Sequence, residues 1–193
     1  DDFESTETTI DLRYPYYWYL ASTPSDPSAG ALFPEATKTN NTEYGMNRAL
    51  FSWFSVDNPV FNRSNSQTPE HIRRNKDLQS NHLTREVKEQ ELFPNRDAIL
   101  GQSSYLPVLN VSFYPSERGP YNLDLNVNPL TGELLNPEKR WGGMMRKIET
   151  SDFETANIEY LEFWMMDPFV YDTVGVHEGG DLYFNLGDIS EDI

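Results

Sequence analysis

The sequence predicts a mostly β fold, an antiparallel sheet or sandwich with long irregular loops and short helices. Three observations lead there. Residues 106–114, 144–148, 158–166 and 181–186 are strand-length runs rich in β-formers, separated by Pro, Gly, Asn and Asp turns. Aromatic residues make up 13% of the 193-residue chain, a composition that suits pleated surfaces. Finally, no long amphipathic helix lies between the runs to carry a parallel crossover.

The elements follow in chain order. Residues 1–10 are acidic and Thr-rich, and 12–20 are dominated by Tyr and Trp. Pro15 keeps the first half of that stretch out of a central strand, so 16–20 reads as a short strand or packed segment. Residues 22–47 have loop composition. Residues 49–56 form a strand with Phe51 and Trp53 on one side and Leu50, Phe54 and Val56 on the other. Thr68-Pro69 signals a short helix with Thr68 at the N-cap and Glu70 in the first turn. Residues 83–93 fit a weak strand or a solvated helical face equally.

In the second half, Leu161, Phe163 and Met165 line one face of run 158–166 and read as core. Tyr160, Glu162 and Trp164 line the other. Leu182, Phe184 and Leu186 likewise oppose Asp181, Tyr183 and Asn185. The mixed set Tyr160, Glu162, Trp164, Asp181, Tyr183 and Asn185 is a candidate binding face, with rings to stack on apolar surfaces and polar groups to take hydroxyl or amide hydrogen bonds. The plainer reading is a sheet face covered by the loops of the first half. The aromatic stretch Tyr14, Tyr16, Tyr17, Trp18 and Tyr19 is the expected cover, which makes Trp164 and Glu162 architectural residues.

Composition restricts the chemistry. A net charge of -16 repels phosphate backbones and disfavours nucleic acid as a partner. The absence of cysteine removes disulfides, thiolate nucleophiles and zinc–thiolate sites. There is no apolar run of spanning length and no signal-peptide pattern. His71, His82 and His177 are scattered, and no HExxH, GxSxG, P-loop or dinucleotide fingerprint occurs. Gly142-Gly143 and Gly179-Gly180 mark turns or close approaches. Asn122, Asp124, Asn126 and Glu133 have the spacing of a calcium loop, but Val127 stands where that loop requires Gly. An edge strand ended by Pro129 explains the same residues. Glu159, Glu162 and Asp167 offer only the carboxylate pairs any acidic domain has. No catalytic, cofactor-binding or metal residue is therefore assigned, and no enzyme activity is expected.

Long motifs narrow the field. RGPYN at 118–122, LLNPEKRWGGMMRKIETSDFETANIEYLEFWMMDPF at 134–169 and GGDLYFNLGDISEDI at 179–193 closely resemble the giant SprA/Sov family, cell-surface proteins of Bacteroidetes acting in gliding motility and type IX secretion. DLRYPYYWYLASTP at 11–24, LFPEA at 32–36, NRALFSWF at 47–54 and LFPNRD at 92–97 are similar to the same family in the same order. The resemblance implies a piece of a very large outer-membrane translocon protein, with the parent chain running on beyond both termini. It implies one soluble domain or insertion over 1–193, loop-rich and aromatic over 1–105 and strand-rich over 106–193, capping, gating or lining the pore on its external side. Its partners would be the rest of the parent β-barrel, outer-membrane secretion proteins and exported cargo. No cofactor is implied. DFE at 2–4 and the FW and GDLYFNLG runs further suggest a jelly-roll-like sandwich like those of sugar-binding modules, so a surface carbohydrate- or cargo-binding module is the alternative function.

Asp172-Thr173-Val174 matches the acidic–hydroxyl–aliphatic pattern of O-glycosylation that the resemblance brings with it, making Thr173 a modification candidate. The mass of the native Thr173 peptide is the check: an added glycan is expected, and only the unmodified form would end the idea.

Overall fold

In the computed structural model the described residues are 10–25, 32–38, 40–96, 104–150, 152–173 and 179–187. They contain four strands: β1 (Tyr19–Leu20), β2 (Ala49–Phe54), β3 (Asn110–Arg118) and β4 (Met144–Met145). They also contain four one-turn helices: α1 (Asn58–Phe61), α2 (Glu70–Arg73), α3 (Lys76–Gln79) and α4 (Glu89–Leu92). β1 pairs antiparallel with β4, and β2 antiparallel with β3. This is a small mixed α/β arrangement with two open two-stranded sheets, and it replaces the jelly-roll-like sandwich expected from sequence. Residues 158–166 and 181–186 lie in neither sheet. A β-prone run becomes a strand only when a partner backbone completes its ladder, and here the ladder partners go to β2 and β3.

The chain forms two compact units interleaved in sequence. One comprises Asp1–Tyr14, Ser55–Leu109 and Glu149–Tyr183; the other comprises Pro15–Phe54, Asn110–Ile148 and Phe184–Ile193.

In the first unit, helix starts are set by short polar side chains. The Asp57 carboxylate accepts from the Val60 N–H at 3.3 Å, and the Asn75 side chain from the Leu78 N–H at 2.9 Å. Each satisfies a donor that a helix start leaves orphaned. Thr68 is not the cap expected of it: Pro69 holds that position before α2, and the buried Thr68 hydroxyl instead donates to the Val60 carbonyl. The 83–93 ambiguity resolves toward helix only at α4, where the Glu91 carboxylate accepts the Lys88 N–H at 3.1 Å. Val87 supplies the buried apolar side chain and Gln79 a buried amide, which donates to the Phe61 carbonyl at 3.1 Å.

In the second unit, Phe51, Ser52 and Trp53 of β2 face Phe113, Ser112 and Val111 of β3. The register then slips between Ala49, opposite Arg118, and Leu50, opposite Tyr114. Pro115 falls in that irregularity, where its missing N–H costs the ladder nothing. The strand expected at 106–114 is thus displaced to Asn110–Arg118, and the ones expected at 16–20 and 144–148 shrink to the two-residue β1 and β4. The aromatic stretch before β1 is used inside this unit: the Trp53 indole donates to the Pro15 carbonyl at 3.0 Å, and the Arg146 guanidinium sits 4.7 Å from the Tyr17 ring centre.

Gly119, directly after β3, packs against the backbone at the start of β2. A Cβ there would lie 2.6 Å from the Ala49 carbonyl carbon and 2.9 Å from the Arg48 oxygen, both backbone atoms that have nowhere to go. Gly119→Ala is therefore expected to destabilise the protein by about 2–3 kcal/mol, the cost of overpacking. Thermal or urea unfolding measures it, and a Tm equal to that of the unaltered protein would contradict this packing.

Candidate functional site

The second unit is built around a buried arginine. Arg48 is fully buried, directly before Ala49, itself fully buried at the start of β2. Its guanidinium donates to the Ala21 carbonyl at 3.1 Å and the Pro120 carbonyl at 3.3 Å. It also lies over the rings of Trp141 and Tyr121, at 5.2 and 6.0 Å from their centres. Burial lowers its pKa from the very high ordinary value, while Tyr44, Tyr121 and Glu35 oppose that shift electrostatically. The group remains cationic. Its Nε–H is buried with no hydrogen-bond partner.

Two further charged side chains are buried in the same unit. Glu35, buried in the 3-10 turn Pro34–Thr37, accepts from the Trp141 indole at 2.8 Å and the Asn47 amide at 3.0 Å. Phe33 meets the Trp141 ring edge-on at 5.7 Å, so the segment LFPEA holds that indole from two sides. Arg140 donates to the carbonyls of Leu135 and Met46 at 2.7 Å each and pairs with Asp124 at 2.8 Å. Thr23 and Tyr44 exchange reciprocal hydroxyl-to-carbonyl bonds at 2.9 and 3.1 Å. Among the described residues, the unit buries Ser22, Thr23, Glu35, Arg48, Asn122 and Arg140 against only Ala49 and Leu134 as apolar core.

The loop after β3 is turned inside out. Buried Asn122 donates to the Arg48 carbonyl at 2.6 Å and receives the Asp124 N–H at 2.9 Å, and Arg118 donates to the Asn122 carbonyl at 2.8 Å. Tyr121 reaches this arrangement with φ of 58°. Leu125 and Leu130 are meanwhile 91% and 94% exposed, with Leu123 and Tyr121 also exposed. The calcium spacing is thereby accounted for. Asp124 is committed to Arg140 and to the Asn126 N–H at 3.0 Å, and Glu133 takes the Thr131 hydroxyl at 2.8 Å. Among the described residues no cluster of His, Asp and Glu could hold a metal ion.

The residues of the predicted binding face are all exposed: Tyr160, Glu162, Trp164, Asp181 and Tyr183 in the first unit, and Asn185 in the second. Trp164 is 72% and Tyr160 64% exposed, so the burial expected to make Trp164 and Glu162 architectural is not made. Leu161, Phe163 and Met165, expected as core, are exposed as well. Within the face the Tyr183 hydroxyl donates to Asp181 at 3.2 Å. A concavity of roughly 430 Å³ lined by Leu92, Phe93, Pro94, Asn95 and Arg96 includes none of these residues.

Thr173 is exposed after a turn closed by the Asp172 N–H on the Phe169 carbonyl, at 2.8 Å; Val174 and His177 lie outside the described residues. His71 is in α2, and the His82 ring stands edge-on to Tyr171 at 6.4 Å. DFE at 2–4 and residues 188–193 also lie outside the described residues. Gly179 has φ of +77°, a Cβ on Gly142 would strike Phe51 and Phe113, and one on Gly143 would lie 3.1 Å from the Ala21 Cβ, whereas Gly180 has open space around it.

No protein-family profile and no curated protein matches the chain. Nothing in the periodicity of the chain marks Glu35, Arg48, Asn122 and Arg140 as core residues. The available signal was the recurrence of Arg and Trp beside Gly and Pro, as in RGPYN and RWGG, where a tight backbone brings a guanidinium against carbonyls and rings.

Asp124 gives a pH signature. Burial pushes its carboxyl up, but the Asn126 N–H and Arg140 outweigh it and hold the group below its ordinary value. A depressed folded pKa means the stabilisation is complete above the ordinary Asp range near about 4 and is lost as pH falls through the folded value. Asp124→Asn should cost about 2 kcal/mol at neutral pH and flatten that acid limb. Urea unfolding at a series of pH values reads both; an unchanged acid limb would exclude Asp124 as its source.

Proposed function

We propose that this chain is a structural, capping or gating domain of an outer-membrane type IX secretion translocon that also serves gliding motility. The observation that carries the reading is the convergence of the segments on which the family resemblance rests. Pro120 and Tyr121 of RGPYN, Trp141 of RWGG and the field of Glu35 of LFPEA meet at the Arg48 guanidinium of NRALFSWF, while Phe33 holds Trp141, Asn47 holds Glu35 and Asn122 takes the Arg48 carbonyl. A buried guanidinium that draws carbonyls and rings from distant segments to itself serves architecture. The exposed Leu125 and Leu130 and the rings of residues 160–165 support the same reading, because apolar surface of this extent marks a place where further protein sits.

The second reading, a surface carbohydrate- or cargo-binding module, is favoured by the exposure of Tyr160, Trp164 and Tyr183 beside Glu162 and Asp181. Rings open to solvent with carboxylates between them suit recognition better than packing.

The test is genetic and biochemical in the source bacterium. Gly119→Ala or Arg48→Met, placed in the full-length gene, should lower export of a type IX reporter and gliding together, with the polypeptide in the outer-membrane fraction. A soluble product, or export and gliding unaffected by deletion of the gene, would overturn the translocon reading.

A further inference from the structure

β3 is the more exposed member of its two-stranded sheet. Val111, Phe113 and Tyr114 are 53%, 43% and 49% exposed, whereas Leu50, Phe51, Ser52 and Trp53 of β2 are half-buried. One edge of β3 pairs with β2. Among the described residues, no hydrogen bond from outside that pair reaches the backbone of residues 111–114. This open edge has a fixed end. Pro115 has no N–H with which to extend a ladder, and the Ser116 carbonyl already accepts the Leu134 N–H at 2.8 Å. The edge is also neutral: residues 110–116 read Asn-Val-Ser-Phe-Tyr-Pro-Ser in a chain of net charge -16. Natural sheet edges are ordinarily guarded by charged side chains, and β3 has none before Glu117.

We propose that the chain self-associates through β3, the β3 of a second copy adding antiparallel along this edge about a two-fold axis at Ser112. The backbone fixes that register. Pairing centred on Phe113 would bring Pro115 opposite Val111, and pairing centred on Val111 would run past the start of β3 at Asn110. Centred on Ser112, the ladder keeps the prolines of both copies outside it. Val111 then faces Phe113 of the second copy, an aliphatic–aromatic pair, and Ser112 faces Ser112 of the second copy on the opposite side of the sheet. Two marginal two-stranded sheets become one of four strands, in the order β2, β3, β3, β2. The absence of charge selects a second copy over a basic or acidic segment, because neither would find a counter-charge along this edge. A second copy sets no like charges directly opposite each other. The acidic remainder of the two chains still repels, so salt that screens it favours the pair. The inference is independent of both readings of function given above.

The experiment uses the whole chain. Sedimentation equilibrium should give the monomer mass in dilute solution and approach twice that mass between about 10 µM and 1 mM, the range expected of a small interface. Raising salt from about 0.05 to 0.5 M should strengthen the dimer. Ser112→Lys and Ser112→Glu each place like charges opposite each other across the axis and should weaken it about fivefold. An equimolar mixture of the two variants should recover the affinity of the unaltered protein, since Lys then faces Glu. Because the chain has no cysteine, Ser112→Cys should cross-link between copies with a short bis-maleimide, and Thr131→Cys, at an exposed turn, should not. A monomer at every concentration and salt would overturn the proposal. So would a dimer indifferent to both charged variants, a mixture that restores nothing, or a Ser112→Lys dimer tighter than the unaltered one, which would make net charge the governing quantity. Where a charged variant fails to fold, the cross-link decides: none at Ser112→Cys, or as much at Thr131→Cys, overturns the β3 interface.

Discussion

The second unit depends on keeping one positive charge out of water. Removing a guanidinium from solvent costs several kcal/mol unless its donors and its charge are met. Arg48 meets most of that cost with two main-chain carbonyls, two aromatic faces and the field of Glu35. These partners come from places far apart in the chain: Ala21, Glu35, Pro120, Tyr121 and Trp141. The requirement that they meet fixes the path of the intervening backbone more firmly than the few apolar side chains do. Gly119 must be bare so that its strand can come close enough, and Asn122 must turn back to take the Arg48 carbonyl. Arg140 repeats the device on a smaller scale, joining Met46, Leu135 and Asp124.

Local features of this fold were legible and its architecture was not. The strand at β2 was readable because aromatic and aliphatic residues alternate without interruption from Leu50 to Phe54. The short helix after Thr68 was readable because Pro at a helix start is a strong stop on other conformations, although the cap shifted by one residue once the Thr68 hydroxyl found the Val60 carbonyl. Residues 158–166 carry an equally clear strand pattern and form none. Alternation describes how a segment would sit in a sheet; the ladder itself requires a second backbone, which is a property of the whole chain.

The loop at 121–135 shows a different limit. Its alternation of Asn122, Asp124 and Asn126 with Leu123 and Leu125 was visible, and hydrophobicity alone would put the leucines inside. The opposite occurs because Arg118, Arg140 and the Arg48 carbonyl draw the polar side of the loop inward. A periodic pattern identifies two faces, and their assignment to core or surface follows from the partners already waiting there. The candidate binding residues divided along the same line: their alternation was legible, whereas their exposure followed from long-range packing that no local pattern encodes.

A core of this composition also has a thermal consequence. Apolar surface exposed on unfolding raises the heat capacity and polar surface lowers it. The second unit hides carboxylate, guanidinium, amide and hydroxyl groups beside little fully buried hydrocarbon, so its heat-capacity increment per residue is smaller than that of an oil-like core. Its stability curve is correspondingly flat, changing little between cold and warm surroundings, and its hold on shape comes from the directions of hydrogen bonds more than from the expulsion of water.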